Sequence, residues 1–230
     1  PFLLGGANGV DSSGWRESES IRFTGALTGA LNDALNFDVS GMYHRYTRQT
    51  MNMDTIVDRV QLGLRGFGGP DCNRITGTAG TGGCQFLNPF SNAIERNAVT
   101  GVANPGYNAA VANSPELSRW LYEQSRSSFV TQLFVAEASV SGRTPITLPG
   151  GDLSFAVGGQ YRRESYDSNY GGFNNLDITP CLDTPVTGNL TCSPQPGPLA
   201  YLGSSRPLSV RGDVYALFAE VRAPILDTLD

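Results

Sequence analysis

The sequence predicts an all-β chain of long antiparallel strands. Three observations predict it. Apolar and polar residues alternate with a period of two over five separate stretches. Most of these stretches outrun the five or six residues usual in globular strands. The connections between them are alternately short and long.

The clearest strand lies between Gly151 and Tyr166. Leu153, Phe155, Val157, Gly159 and Tyr161 fall on one side, and Ser154, Ala156, Gly158, Gln160, Arg162 and Glu164 on the other. Successive side chains of a strand point to opposite faces, so one face is apolar and the other small or charged. A half-buried strand of a water-soluble sandwich has this pattern. A membrane-barrel strand, apolar toward lipid and polar toward the lumen, has it too.

In chain order, residues 1–20 are polar and Gly-rich and read as the end of a loop. Alternation starts with Ile21, Phe23, Gly25, Leu27, Gly29 and Leu31 against Arg22, Thr24, Ala26, Thr28 and Ala30. Asn32-Asp33 is a turn signal. Leu35, Phe37, Val39, Gly41 and Tyr43 then alternate with Asn36, Asp38, Ser40, Met42 and His44. Residues 51–127 read as a long connection. Within it, Ile56–Leu64 suits a short strand or a helical turn, and Ser114-Pro115-Glu116 opens a short helix with Leu117, Trp120 and Leu121 on one face. Alternation returns from Val130: Phe134, Ala136, Ala138 and Val140 oppose Thr131, Glu137, Ser139 and Ser141. A short link at 144–152 leads into the strand described first. Residues 169–210 form a second long loop, and a last strand sets Tyr215, Leu217, Ala219 and Val221 against Val214, Ala216, Phe218, Glu220 and Arg222.

Composition narrows the class. A net charge of −5 with no basic run argues against a nucleic-acid partner. No apolar stretch is long enough for a spanning helix, which says nothing about spanning strands. The four cysteines form two local pairs, Cys72 with Cys84 and Cys181 with Cys192, each closing a short loop rich in small and polar residues. They read as two disulfides of an oxidising compartment; a metal site is the rival, without Cys-x-x-Cys or a neighbouring histidine to support it. The N-terminus lacks the marks of a signal peptide, and both ends read as those of an internal segment of a longer protein.

The order of connections decides between sandwich and barrel. They run short at 32–34, long at 51–127, short at 144–152 and long at 169–210, with another short turn beginning at Pro224. An outer-membrane barrel sorts its connections this way, with short periplasmic turns and long outer loops. The strands at 35–50 and 153–168 then run outward, and those at 128–143 and 211–224 inward. The sequence is thus read as an antiparallel transmembrane β-barrel segment with long extracellular loops, in the bacterial outer membrane.

Four stretches resemble TonB-dependent outer-membrane receptors. They are Gly83-Cys84-Gln85-Phe86-Leu87-Asn88-Pro89-Phe90, Ile146-Thr147-Leu148-Pro149-Gly150-Gly151, Val157-Gly158-Gly159-Gln160-Tyr161-Arg162-Arg163-Glu164, and Asp213–Val221 followed by Pro224. The likeness covers most of residues 15–226. It implies that the chain is part of a 22-stranded barrel plugged by an N-terminal domain that this segment lacks. It implies an active-transport receptor taking up a scarce ligand, a siderophore, cobalamin, oligosaccharide or peptide, with energy delivered through TonB. The implied partners are outer-membrane lipid, the remaining strands, the plug, TonB through the plug, and a small ligand. Two rival classes fit the residues: a porin or adhesive barrel independent of TonB, and a secreted β-sandwich lectin.

No catalytic constellation stands out, and the chain is read as non-enzymatic, with no cofactor or metal. His44, the only histidine, shares a face with Asp38 and Ser40. The charges on the polar faces, Arg22, Asp38, Glu137, Arg162, Glu164, Glu220 and Arg222, are expected to line the lumen, pairing across strands or holding the plug. Tyr43, Tyr46, Tyr161 and Tyr166 are expected to form an interfacial girdle at the outward strand ends. Tyr107, Trp120, Tyr122, Tyr170 and Phe173, in the long loops, are candidates for ligand contact or for loop packing.

Overall fold

The computed structural model describes residues 14–97, 100–180 and 197–226. One sheet holds five strands in the order of the sequence: β1 (Trp15–Asn32), β2 (Leu35–Thr55), β3 (Tyr122–Leu148), β4 (Gly151–Tyr170) and β5 (Leu208–Arg222). β4 and β5 pair antiparallel over Ser154–Ser168 and Leu208–Arg222. The only α-helices among the described residues are α1 (Val57–Leu64) and α2 (Pro115–Trp120). The chain is therefore all-β, with an open sheet edged by β1 and β5.

Two compact units emerge. The sheet unit comprises Ser18–Arg48, Phe129–Ser168 and Leu208–Asp230; the loop unit comprises Pro1–Glu17, Gln49–Ser128 and Asn169–Pro207.

In the sheet unit the alternation resolves into two faces. Register places Phe155 beside Val221, Val157 beside Ala219, Gly159 beside Leu217 and Tyr161 beside Tyr215. The Tyr161 ring lies 5.1 Å from Tyr215 and 6.1 Å from Phe134, which carries the apolar face into β3. Tyr43 Oη donates to Gln132 Oε1 (3.5 Å), carrying it into β2. The Phe37 ring then lies against Gly29, where a Cβ would stand 2.8 Å from the ring, and so reaches β1. Leu27 and Phe23 of β1 and Leu217 of β5 are 65%, 66% and 92% exposed, so nothing in the described chain covers this face.

The opposite face is mainly polar. Ser20 and His44 hydrogen-bond at 2.9 Å, Gln160 Nε2 donates to Glu137 at 2.9 Å, and Arg162 and Glu164 form an ion pair at 3.1 Å. Apolar side chains are interspersed with these groups: Val210, Val214 and Phe218 of β5 face the same way, and Leu133 of β3 lines this side as well. The Phe218 ring lies over Gly158, where a Cβ would approach within 2.3 Å. Its apolar side chain fills the space above a glycine and keeps 45% of its surface exposed.

The aromatic row departs from the girdle expected. Tyr43 and Tyr161 share the apolar face and are joined there by Tyr215. Tyr46 and Tyr166 lie on the polar face: Tyr46 Oη bonds Ser18 Oγ at 3.1 Å, and Tyr166 packs 6.2 Å from Phe129, which Arg48 stacks against. Strand parity is the reason, since three or five residues separate the members of each pair.

The short connections follow the turn chemistry. Asn32 Oδ1 accepts from the Ala34 and Leu35 amides at 2.9 and 3.0 Å, closing an Asx-type turn. Between β3 and β4, Gly150 donates to Pro224 O at 3.0 Å, and a Cβ there would stand 2.1 Å from Leu226 O. Only glycine fits that approach.

The strands extend beyond the stretches of clean alternation. β1 begins at Trp15, inside the expected loop, and β3 at Tyr122 rather than near Val130. The added turns of sequence, such as Arg16-Glu17-Ser18-Glu19, carry polar groups on both faces. Backbone pairing continues there after hydrophobic patterning has ended.

Within the loop unit the local signals hold. Ser114 Oγ accepts from Leu117 N at 3.0 Å, with Pro115 in the first turn of α2. The 56–64 stretch resolves as helix α1, with Ile56 at its N-cap. Leu117 and Leu121 are fully buried and form a small core with Leu87, packed by Val60, Trp120 and Tyr122. Asn88 pairs reciprocally with Asn113: each side is held at 2.8 Å. Cys72 and Cys84 form a disulfide. The second expected pair, Cys181 and Cys192, lies outside the described residues.

Candidate functional sites

The loop unit gathers aromatic side chains around one arginine. Arg59, on α1, sends Nη1 to Trp120 O at 2.7 Å, and both terminal nitrogens to Glu123 Oε1 at 3.1 Å. Its guanidinium also lies 5.6 Å from the Trp120 ring centre and 5.4 Å from that of Phe173. A second guanidinium, Arg74 from the disulfide loop, stacks 5.0 Å from Trp120. Burial, and then the charge of Arg59, hold the pKa of Arg74 below the ordinary arginine value. Delocalised guanidinium groups lose less hydration than ammonium groups when they stack on aromatic rings. The chain carries sixteen cationic side chains, and all are arginine.

Three of the five loop aromatics therefore meet: Trp120 and Phe173 through Arg59, and Tyr122 through the adjoining leucine core. Tyr107 stands apart in a turn closed by its own amide on Asn104 O. Tyr170 lines a separate cleft with Trp15. Arg59, Arg74 and Glu123 were not singled out in the sequence. Arg59 reaches partners more than sixty residues away, and no local motif marks such a contact.

Because Arg59 is mostly covered and joins α1 to the start of β3, Arg59→Ala is expected to weaken the loop unit by about 1–2 kcal/mol. Arg59→Lys keeps the charge but not the fork and should recover less than half of that. Hydrogen exchange at the α1 amides reads the change.

The polar face of the sheet unit holds the charged candidates. Register puts Arg222 beside Ser154 and Glu220 beside Ala156, on the face of Arg162 and Glu164. Glu137 joins them through Gln160. Arg22 shares a face with Ser20, and Asp38 with His44, and Ser20 and His44 meet on this face in β1 and β2. An opening of about 530 Å3 on this side is lined by His44, Thr131, Glu164 and Tyr166 among others. Among the described residues, no three His, Cys, Asp or Glu side chains come together in a metal-binding group.

No family model matches this chain, and neither does any curated protein or solved structure.

Proposed function

We propose that this chain is part of the β-barrel of a TonB-dependent outer-membrane receptor, which takes up a scarce ligand through its outer loops. The observation that carries the reading is the uncovered apolar face shared by all five strands. Leaving large apolar side chains in water forgoes about 1.5–3 kcal/mol each, and continuous exposed apolar surface marks a membrane or protein contact. The occupant that fits is lipid. From Leu153 to Tyr161 the apolar run of β4 is about 27 Å long, or about 21 Å of bilayer at a tilt near 40°, close to the apolar band of such barrels. Tyrosines close the run, and beyond them the same face turns charged: Arg163 pairs with Asp213 at 2.8 Å. Sorted connections support the same reading: short turns join β1 to β2 and β3 to β4, and long segments, 56–121 and 171–207, join β2 to β3 and β4 to β5.

In this reading β1 and β5 pair with further strands, because an open edge in lipid leaves backbone groups without partners. The charged face looks into the lumen, where Arg22, Asp38, Glu137, Arg162, Glu164, Glu220 and Arg222 meet the plug or each other. Fractionation tests the reading. The intact protein is expected to stay with the outer membrane through high-salt and carbonate washes and to leave it only in detergent, and ligand uptake should cease without TonB. Release by salt alone contradicts the barrel; uptake that persists without TonB reassigns it to a passive pore.

A further inference from the structure

The apolar face of the sheet unit carries a hollow of about 700 Å3, within the size range of ligand sites. Ala136 and Ala138 of β3 and Gly159 of β4 lie along it, and Val39 bounds it on β2. Leu217 leans in from β5, its Cδ2 3.1 Å from where a Cβ on Gly159 would stand. Tyr161 and Tyr215 close one end, their rings 5.1 Å apart. That end turns polar. Tyr161 Oη donates to Asp213 Oδ1 at 2.6 Å, and Arg163 Nε donates to the same oxygen at 2.8 Å. The Arg163 guanidinium lies 5.8 Å from the Tyr161 ring centre, and its side chain is 58% exposed. Its two terminal nitrogens have no acceptor among the described residues. Further out on this face come Arg211, beside Ser165, and then Asp167, which Ser209 Oγ bonds at 2.5 Å. Nearest the hollow, two arginines therefore face one aspartate, whose Oδ1 already accepts two hydrogen bonds.

We infer that this hollow holds one acyl chain of a lipid A molecule of the outer leaflet, with a phosphate of its headgroup at Arg163. The inference rests on the receptor reading, which puts Tyr161 and Arg163 toward the outer surface. From the level of Phe134 to Ala138 the face runs about 13 Å along the strand, and β2 to β5 span about 14 Å across it. At a tilt near 40° that is about 10 Å of depth, which stays within the outer half of a ~30 Å apolar core. An acyl chain in the hollow covers apolar surface on its floor and both walls, where bulk lipid touches the rest of the face from one side only. A guanidinium with two free terminal nitrogens matches a phosphate, which accepts both in parallel. The occupant must therefore have an apolar body and an anionic end, and lipid A has both. A second copy of the chain would meet this hollow with an equal one and bring Arg163 no anion beyond its own paired Asp213.

The intact protein is extracted in a mild detergent and weighed by native mass spectrometry, first with the lipid it retains and then, once stripped, during titration with lipid A and with dephosphorylated lipid A. The retained lipid is expected to be lipid A, one per protein. Arg163→Gln should weaken its binding about tenfold. Removing the phosphates should weaken binding to the unaltered protein by a similar factor and binding to the Arg163→Gln variant hardly at all. Ala138→Phe fills the hollow and should weaken both lipids about tenfold; its ring is added to an exposed position on the apolar face, so the fold should be kept. Leu27→Ala, on the same face but outside the hollow, should change nothing. Retention of a phospholipid in place of lipid A, or binding that neither Arg163→Gln nor Ala138→Phe reduces, overturns the inference. So does a lipid-free pair of protein copies that Ala138→Phe separates. A protein that stays in the outer membrane through salt but holds no lipid A overturns only this inference, and one that binds lipid A as described but leaves the membrane in salt overturns only the receptor reading.

Discussion

Val157→Arg is expected to cost about 2–4 kcal/mol of folding stability in lipid vesicles, while Ala216→Arg costs less than about 0.5 kcal/mol. Val157 pairs with Ala219 midway along the apolar run, where an arginine sits near the centre of the bilayer. Ala216 is on the other face, beside Gln160, whose amide donates to Glu137, so an arginine there meets a carboxylate. The contrast is sharp because both positions are exposed in the described chain. If water covered both faces, neither change would cost much. Depth supplies a second check: Leu217→Arg, nearer the tyrosine row, should cost less than Val157→Arg. Urea titration of the vesicle-folded protein measures all three. Equal costs on the two faces would remove lipid from the account.

Leu117→Ala is expected to destabilise the loop unit by about 3 kcal/mol. Leu117 has no exposed surface, and the core it forms with Leu87 and Leu121 is small. Its Cδ1 also lies where Gly68 leaves room, 2.7 Å from the site of a Cβ, so the backbone there is already close and cannot readily collapse into the space. Amide exchange at Leu87 and Leu121 should accelerate about a hundredfold. Exchange in the sheet unit should not change, and a uniform loss across both units would contradict the independence of this core.

Much of this was legible from short-range chemistry. Alternation marked the centre of every strand; Asn32 announced its turn; Ser114-Pro115 announced α2; the spacing of Cys72 and Cys84 announced their bond. Strand ends were less legible, because Arg16 to Glu19 or Glu123 to Ser127 pair through the backbone while their side chains carry no pattern. The division of the tyrosines was present in the numbering: Tyr43 and Tyr46 are three residues apart and so oppose each other. Arg59 and the cleft between Trp15 and Tyr170 were not legible. Arg59 owes its place to contacts across more than sixty residues, and the cleft is assembled from β1, β2, β3 and β4. The ends of the chain's long loops thus come together through packing that local sequence does not encode.

The most direct test of the central claim is the accessibility of nitroxide labels in the intact protein reconstituted in lipid. Labels at Leu27, Val157 and Leu217 report the apolar face, and labels at Thr28 and Ala216 the polar one. The account predicts that oxygen dissolved in lipid reaches the first three while a water-soluble nickel chelate does not, and that the other two show the reverse. Nickel reaching Leu27, Val157 and Leu217 as readily as Thr28 and Ala216 would place water on both faces and contradict it.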